Sequence, residues 1–431
     1  MDLNKLLSEL SDCSCGRKHD FDVKLVEIGS GILGKTGELL KSVSFPKRVL
    51  VVADRNTLKA SEGLLENLES AGFNIKLKLY DNLTLAEMRE VEEIQRQSAD
   101  VDGILSVGSG SLNDICRLAA YRENKEFAIF ATAPSMDGFA SDNAPIIENG
   151  FKLTWQAKQP VAIIGDTKIL AAAPAELKAA GFGDMMGKFT ALAEWKISKL
   201  LTGEYYCDKI AGLTQEGLKK VAEQADRMAA NDEEAAARVM EGLVLSGLAM
   251  KLAGSSRPAS GAEHVLSHFW ECKKLEAGLW PEFHGKKVGV ASVIIIKLYR
   301  KLAAEIETVE PTRDKTDWDA VKKAYGPRLE DEMMKLNSPT ITDEIEPEAI
   351  KRSWSEIRRI ILDTLPTDEE MLSMMTKAGA AVTPAEVNVT PALLEQGLKY
   401  HSYMRHRVLL TRLIPMLGLD GRFDILSAVS I

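Results

Sequence analysis

Three of the six histidines lie within 21 residues of one another, and imidazole groups at this density can bind a divalent metal ion. His264 and His268 are four residues apart in a segment with helical periodicity, so they share one face of the predicted helix. His284 follows after a proline-containing turn. The pair is not the HExxH pattern of zinc hydrolases, because Val265 stands at the glutamate position. For the pair alone, a solvent-exposed helix face is the simpler interpretation.

Asp184, in the glycine-containing segment AAGFGDMMGK, could complete a metal site. One carboxylate and two imidazoles can hold a divalent ion and leave positions open for a substrate. Considered alone, Asp184 is better explained as the N-terminal capping residue of a short helix. Only its combination with the histidines favours a metal ligand.

A second candidate site is the segment GSGSLND at residues 108–114, which follows an apolar run ending at Val107 and opens a helical pattern. Small residues let the backbone approach a ligand, and the free N–H groups of a helix N-terminus bind phosphate. The segment departs from the usual dinucleotide fingerprint, since Asn113 replaces the third glycine, and it has no Walker lysine. A tight strand-to-helix turn explains this segment equally well.

Two more polar segments follow apolar runs. Asp54 follows residues 49–53, where an acid can accept hydrogen bonds from an adenosine ribose, although a capping or solvated acid is the commoner role. The segment TAPSMDGFASD, residues 132–142, follows the run at residues 127–131. Ligands of open α/β sheets bind beyond the carboxyl ends of the strands. The three polar segments therefore predict one ligand-binding crevice.

The five cysteines do not form a disulfide framework, since their number is odd and they are scattered along the chain. Cys13, Cys15 and His19 could form a metal clip, but no second pair at zinc-finger spacing accompanies them. We therefore predict an inert N-terminal turn. The other cysteines lie in helical patterns and are interpreted as small packing residues: Cys116, Cys207 and Cys272.

The elements that must position these residues change in type along the chain. Apolar or alternating runs at residues 49–53, 75–80, 103–107 and 127–131 are separated by helical patterns at 57–71, 85–99 and 115–122. Strands alternating with helices predict a mostly parallel sheet, and residues 75–80 alternate as an edge strand does. From Pro174 onward the patterns are helical. We predict an α/β domain at residues 1–165 and an all-helical domain at residues 166–431.

Composition excludes several classes of function. The chain has 431 residues, with 54 basic and 63 acidic side chains and a net charge of −9, and it has no basic block that would attract nucleic acid or anionic lipid. No run reaches the roughly 18 apolar residues of a membrane span. The N-terminus does not match a secretory signal, so we expect a cytoplasmic location.

Seven short sequence motifs, taken in their order along the chain, indicate a specific protein family. They are VADRNT, VGSGSLNDICR, TAPSMDGFASDNAPI, AAGFGDMMGK, SGLAM, SRPASGAEHVLSHFWE and FHGKKVG. Together they resemble the bacterial-type sn-glycerol-1-phosphate dehydrogenase family, within the iron-containing alcohol dehydrogenase and dehydroquinate synthase-like superfamily. The resemblance covers about residues 49–300. It implies a Rossmann-like first domain, a dehydroquinate synthase-like architecture, a homodimer and a role in phospholipid biosynthesis.

The resemblance also implies roles for individual residues. Asp54 would contact the adenosine ribose of NAD(P)H. The pyrophosphate would be held by Gly110, Ser111, Leu112, Asn113 and Asp114. The rest of the cofactor would be contacted by Thr132, Ala133, Pro134, Ser135 and Ser141. One divalent ion, zinc or nickel, would be bound by the catalytic residues Asp184, His264 and His284. The substrate would be contacted by Asp137, Asp184 and His268. Glu194 departs from the family's aspartate, and we expect it to lie away from every proposed ligand.

The implied reaction is reversible hydride transfer between NAD(P)H and dihydroxyacetone phosphate, with the metal polarising the C2 carbonyl. A glycerol or iron-type alcohol dehydrogenase is one alternative and would use an unphosphorylated substrate. A dehydroquinate synthase-like lyase would use NAD only transiently. A nucleotide-binding regulatory protein without turnover is the non-enzymatic alternative.

Overall fold

The strands lie in the first 166 residues of the part of the chain that the computed structural model describes, residues 1–148, 150–419 and 421–429. They are β1 (Leu25–Gly29), β2 (Arg48–Asp54), β3 (Asn74–Tyr80), β4 (Gly103–Gly108), β5 (Glu126–Ala131), β6 (Asn143–Glu148), β7 (Phe151–Gln156) and β8 (Ala162–Asp166). Six of them form a parallel sheet in the order β1-β8-β5-β4-β2-β3, and β6 and β7 form an antiparallel hairpin.

Helices cover the sheet and build the rest of the described chain. They are α1 (Leu3–Ser11), α2 (Thr36–Ser42), α3 (Arg55–Ala60), α4 (Leu64–Ser70), α5 (Met88–Gln97), α6 (Gly110–Arg122), α7 (Thr167–Ala172), α8 (Ala175–Met186), α9 (Lys188–Thr202), α10 (Asp208–Ala222), α11 (Glu233–Ala253), α12 (Ala262–Glu276), α13 (His284–Glu305), α14 (Trp318–Tyr325), α15 (Glu330–Leu336), α16 (Pro347–Thr364), α17 (Asp368–Lys377), α18 (Pro391–Tyr400), α19 (Leu410–Leu413) and α20 (Ile425–Ala428). None of them, among the described residues, combines the length and the apolar character of a membrane-crossing helix.

The central strands are apolar on both faces because each face packs against a different core. In β2, Leu50 and Val52 belong to a large core that continues into the helical half. Val49, Val51 and Ala53, which point the other way, belong to a smaller core beneath α2 and α4. Side chains alternate across a strand, so a strand covered on both sides must be apolar throughout. The shared large core joins the sheet to the helices.

The predicted fold class is confirmed, with differences in detail. The four predicted strands are β2 to β5, and β3 is one of the two edge strands of the sheet. The single helix predicted at residues 57–71 is wrong, because the chain forms α3 and α4, separated by Gly63 with φ of 89°. Four strands were not predicted: β1, β6, β7 and β8. β1 and β8 are short, and β6 and β7 mix polar and apolar residues, so no strong local pattern marks them.

Candidate active site

A cavity of about 1030 Å³ lies beyond the carboxyl ends of β2, β4 and β5. The sheet half contributes side chains from all three of the predicted polar segments to its wall, including Asp54, Ser111 and Thr132. The helical half contributes His284 and Lys287, at the start of α13. The structure thus brings the three predicted segments together and places them opposite a histidine of the predicted metal site.

Most of the predicted cofactor residues line this cavity. They are Asp54, Gly110, Ser111, Leu112, Asp114, Thr132, Ala133 and Ser135, and the predicted substrate residue Asp137 lines it as well. Three do not line it: Asn113, Pro134 and Ser141. Asn113 Oδ1 accepts a hydrogen bond from the hydroxyl of Ser106, and Ser141 Oγ accepts one from the backbone N–H of Asn143. These two polar side chains therefore have structural partners beside the cavity.

The loop between β4 and α6 combines a tight strand-to-helix turn with a helix N-terminus at the cavity wall. A Cβ atom at Gly108 would lie 2.5 Å from Leu112 Cδ1, so a larger residue at this position would force the Leu112 side chain to move. A Cβ atom at Gly110 would meet nothing within 4 Å, and this residue begins α6 at the cavity wall. The Ser135 hydroxyl donates to the Ser109 hydroxyl at 3.0 Å and joins this loop to the one after β5. A helix N-terminus open to the cavity is suited to an anionic group.

Asp54 caps a helix and also lines the cavity. Its Oδ1 accepts a hydrogen bond from the Thr57 N–H at 2.9 Å, and the Asp54 N–H donates to Thr57 Oγ1, which makes a capping box at the start of α3. The capping interpretation is thus confirmed. The same side chain lines the cavity at the end of β2, where a cofactor ribose can be reached.

The structure brings Asp184, His264 and His284 together from three different helices. Their potential ligand atoms all lie within 4.8 Å of one another. His264 Nε2 is 3.3 Å from Asp184 Oδ1, and the rings of His264 and His284 are 5.3 Å apart between centroids. Asp184 is fully buried and lies in the last turn of α8. The alternative interpretation of Asp184 as a residue at a helix start is therefore wrong.

The hydrogen bonding of this group fits a bound cation. His264 Nδ1 is 2.7 Å from Glu263 Oε1, so Nε2 is left to face Asp184, as in carboxylate–histidine–metal arrangements. His284 Nδ1 is buried and has no hydrogen-bond partner among the described residues. Burial lowers the pKa of His284 to about 3, which keeps a nitrogen lone pair available at neutral pH. One carboxylate and two imidazoles are a suitable ligand set for zinc or another divalent ion.

Lys188, which was not predicted as a site residue, is the centre of the charge network behind these ligands. Its fully buried ammonium group lies 2.8 Å from Asp184 Oδ1 and 2.7 Å from Asp137 Oδ2. The Asp137 N–H donates to Asp184 Oδ2, and the Ser246 hydroxyl donates to Asp137 Oδ2. Burial raises the pKa of Asp184, but Lys188 and the two histidines hold it well below its ordinary value. The four-residue spacing of Asp184 and Lys188 was the available sequence signal.

A second possible ligand group is formed by His268, Glu271 and His284, whose ligand atoms also lie within 4.8 Å of one another. Glu271 was not predicted as a site residue. Its carboxylate lies 3.0 Å from the ammonium group of Lys152 and 3.1 Å from that of Lys287. Burial raises the pKa of Glu271, but the two lysines lower it to about 2.

Local charge favours the Asp184 group as the metal site. Around Lys188, two carboxylates face one ammonium, whereas around Glu271 one carboxylate faces two ammonium groups, Lys152 and Lys287. A cation is attracted to the first group and repelled by the second. The surroundings of Glu271 suit an anion instead.

Glycine residues allow α8 and α13 to approach closely enough to form the site. A Cβ atom at Gly183 would lie 2.7 Å from Gly285 O, and one at Gly285 would lie 2.0 Å from Ala180 O. Both contacts are with backbone, which cannot rotate away as a side chain can. Asp184 and His284 are the direct neighbours of these glycines. The helix contact therefore sets the separation of two predicted ligands.

Gly285→Ala is expected to weaken metal binding and to destabilise the protein by about 1–3 kcal/mol, because the added methyl group forces α8 and α13 apart. Metal titration and urea-induced unfolding measure the two effects. Gly212→Ala is the matched control, since a Cβ atom at this exposed helical position meets nothing within 4 Å. Wild-type metal affinity in Gly285→Ala would contradict the proposed role of the close helix contact.

Glu194 hydrogen-bonds to none of the predicted ligands within the described residues, but it binds the helix that carries one of them. Its Oε2 accepts a hydrogen bond from the N–H of Ala262, the first residue of the helix that carries His264. Its Oε1 accepts hydrogen bonds from Tyr299 Oη and from the Leu410 N–H. Burial and the neighbouring Glu263 raise the pKa of Glu194 to about 7. Glu194 thus anchors the start of the ligand-bearing helix α12.

Comparison with known proteins identifies relatives over nearly the whole chain. The model of the family described as "Iron-containing alcohol dehydrogenase" matches residues 27–174. The glycerol-1-phosphate dehydrogenase [NAD(P)+] of Geobacillus stearothermophilus is 32% identical over 421 residues, which cover 95% of this chain and 96% of the relative. The enzyme of the same description from Pyrococcus furiosus is 33% identical over 327 residues, or 75% of this chain and 90% of the relative.

Solved structures show the same fold at lower identity. A probable glycerol dehydrogenase from Sinorhizobium meliloti has a TM-score of 0.62 at 17% identity, and the match covers 94% of this chain and 98% of that one. The NADH-dependent butanol dehydrogenase A of Thermotoga maritima has a TM-score of 0.61 at 16% identity, with 96% and 98% covered.

Proposed function

Because the chain belongs to the glycerol-1-phosphate dehydrogenase family, within the iron-containing alcohol dehydrogenase superfamily, we propose that it interconverts dihydroxyacetone phosphate and sn-glycerol 1-phosphate with NAD(P)H. The observation that carries this proposal is that His284, which is grouped with Asp184 and His264, lines the same cavity as the predicted cofactor segments. A cofactor and a small substrate must share one water-poor space for hydride transfer.

Each half of the chain has its own part in the proposed reaction. The loops after β2, β4 and β5 bind NAD(P)H and hold its nicotinamide ring, which supplies the hydride. Asp184, His264 and His284 would hold one divalent ion, which would supply Lewis-acid polarisation of the C2 carbonyl of the substrate. Lys188 keeps Asp184 ionised, and Asp137 joins the loop after β5 to this network. Zinc and nickel are both compatible with this ligand set.

The charge around Glu271 supports a phosphorylated substrate. Lys152 and Lys287 line the cavity next to His284, and with Glu271 they leave a net positive charge there. Ammonium groups are common phosphate ligands. An enzyme for glycerol or another neutral alcohol needs no such charge, so the arrangement favours dihydroxyacetone phosphate over the unphosphorylated substrate of the first alternative.

A substrate panel tests the proposal. Purified protein is mixed with NADH, a divalent metal and either dihydroxyacetone phosphate or unphosphorylated dihydroxyacetone, and oxidation of NADH is followed by its near-ultraviolet absorbance. We expect turnover of the phosphorylated ketone, and a product that a glycerol-3-phosphate dehydrogenase does not oxidise. Turnover of dihydroxyacetone alone would indicate a glycerol-type enzyme, and cofactor binding without turnover would indicate a regulatory protein.

Asp54→Asn is expected to reduce the NADH/NADPH ratio of kcat/KM by about tenfold, because a carboxylate beside the ribose repels a 2′-phosphate. Asparagine preserves the helix cap at this position, so the change isolates the charge. The side chain of the adjacent Arg55 forms a salt bridge with Asp81, in which Arg55 Nε lies 2.7 Å from Asp81 Oδ1. Kinetics with both cofactors measure the ratio, and an unchanged ratio would place Asp54 away from the ribose.

His268→Ala is expected to leave metal content intact and to lower kcat/KM for dihydroxyacetone phosphate roughly 10- to 150-fold, the effect of one lost hydrogen bond to a charged group. The His268 ring stacks on His284 at 5.4 Å between centroids, and no hydrogen bond links it to Asp184 among the described residues. Elemental analysis and steady-state kinetics measure the two quantities. Loss of metal, with recovery of activity in excess metal, would instead make His268 a ligand.

The family also leads us to propose a homodimer with a cytoplasmic location and a role in phospholipid biosynthesis. Size-exclusion chromatography with light-scattering detection determines the mass of the protein in solution. Cell fractionation determines the location.

A further inference from the structure

Four potential zinc ligands meet at a second place, where the N-terminal segment packs on the helical half. Cys13, Cys15 and His19 lie in the loop between α1 and β1, and Cys207 directly precedes α10. Their sulfur and imidazole atoms all lie within 4.8 Å of one another. Cys207 therefore supplies the fourth ligand that the segment with Cys13, Cys15 and His19 lacks, although it lies almost 200 residues away along the chain. The sequence pattern around Cys207 predicts only a packing role.

The separations within this cluster are close to those of a tetrahedral zinc site. Cys13 Sγ is 3.4 Å from Cys207 Sγ, Cys15 Sγ is 3.1 Å from His19 Nε2, and His19 Nε2 is 3.9 Å from Cys207 Sγ. Zn–S bonds of about 2.3 Å and a Zn–N bond of about 2.0 Å at tetrahedral angles separate neighbouring ligand atoms by about 3.5–3.8 Å. Small side-chain adjustments accommodate the ion.

These side chains are held in place by the fold, but they lack strong hydrogen-bond partners within the protein. Cys207 is 1% exposed and His19 is 9% exposed, while His19 Nδ1 has no hydrogen-bond partner among the described residues. Contacts of a thiol with another thiol or with an imidazole are weak hydrogen bonds. A metal ion bound to three sulfurs and a nitrogen supplies stronger interactions, as in other sites of the Cys₃His type.

The surroundings of the cluster fit a negatively charged metal–thiolate group. The hydroxyl of Tyr205 lies 3.3 Å from Cys15 Sγ and can donate to a thiolate. The guanidinium group of Arg17 lies 3.6 Å from the centre of the Tyr205 ring and brings a positive charge close to the sulfurs. Gly16, with φ of 81°, makes the turn that brings Cys15 and His19 together. Outer groups that hydrogen-bond or balance charge are typical of metal sites.

We propose that Cys13, Cys15, His19 and Cys207 form a structural zinc site that fastens the N-terminal segment to the helical half of the protein. Four protein ligands leave no open position, so this site would take no direct part in hydride transfer. Its function is to hold α1 and the following loop against the start of α10. The proposal does not depend on the proposed activity.

Cobalt substitution tests the site, because a cobalt–thiolate bond gives intense near-ultraviolet charge-transfer absorption that the sulfur-free Asp184 group cannot give. The full-length protein is reduced, stripped of metal and titrated with Co²⁺ under nitrogen. We expect the absorption to saturate between one and two equivalents, because the Asp184 group also binds Co²⁺, and to disappear when Zn²⁺ is added. Zinc analysis of the isolated protein should give one more equivalent in the wild type than in Cys207→Ser.

Variants connect the absorption to individual residues. Cys15→Ser and Cys207→Ser should lose it, whereas Cys272→Ser, the matched control at a buried cysteine outside the cluster, should retain it. If Cys207→Ser does not fold, the half-buried Cys15 provides the test. Limited proteolysis should cut the N-terminal segment faster in the Ser variants than in the control.

Three results would overturn the proposal. They are the absence of thiolate absorption in the reduced protein, its retention in both cluster variants, and a Cys13–Cys207 disulfide in place of zinc in the isolated protein. None of them bears on turnover, which the substrate panel measures separately.

Discussion

His284→Ala is expected to remove the catalytic metal and to reduce hydride transfer by on the order of a thousandfold or more, while NADH binding is retained. The imidazole of His284 is one of three proposed ligands that come from three different helices. Loss of Lewis-acid stabilisation costs several kcal/mol in the transition state, which corresponds to this factor. The cofactor loops belong to the sheet half and are unchanged by the substitution.

Metal analysis, NADH fluorescence titration and steady-state kinetics measure the three quantities for His284→Ala. His406→Ala is the matched control, since His406 is exposed and contacts Glu344 at the surface. The control should behave as the wild type. Full activity of a thoroughly chelated wild-type protein would refute the catalytic metal, whatever the variant does.

Lys188→Met is expected to destabilise the protein by about 3–5 kcal/mol at neutral pH, because it leaves the buried carboxylates of Asp137 and Asp184 facing each other without a cation. The same change should raise the pKa of Asp184, which Lys188 now lowers. A group whose pKa is raised in the folded state stabilises that state when protonated, and this contribution is lost as the pH rises through the raised pKa. The loss in the free energy of unfolding caused by Lys188→Met should therefore be smaller at pH 5 than at pH 7.

Urea-induced unfolding at both pH values, with chelator present, measures this effect without interference from bound metal. Lys196→Met, an exposed position on the same helix, is the matched control and should change stability by less than about 0.5 kcal/mol at either pH. Equal stability of Lys188→Met and the wild type at pH 7 would show that Lys188 does not neutralise the two acids. Added metal should recover part of the lost stability, because a divalent ion can replace the missing charge.

The parallel sheet and the position of the ligand crevice could be predicted from the sequence. The run VLVVA in β2 is apolar at every position because both faces of the strand are covered. Few folds other than a parallel sheet accommodate several such runs separated by helices. Polar segments directly after three of these runs must meet at one sheet edge. The metal ligands were identified by resemblance, since the histidine spacing alone favoured a solvent-exposed helix face.

Other features depended on contacts between distant parts of the chain. The local pattern around Asp184 fitted a helix start, and only the packing of α8 shows that it lies in a last turn. Lys188 matters because a loop residue, Asp137, reaches it from the sheet half. No local sequence pattern marks Glu271, because its two lysine partners come from β7 and α13.

The sequence by itself thus determined the alternation of the central strands with helices, the sheet edge at which the polar segments meet, and the family. The tertiary structure decided which charges neutralise one another, which of two acid–histidine groups suits a cation, and that Cys207 joins Cys13, Cys15 and His19. The physical reason is that the two kinds of feature depend on residues at different separations along the chain. Hydrophobic periodicity reports the burial of neighbouring residues, whereas a charge network or a metal site depends on distances of a few ångströms between segments that only helix packing brings together.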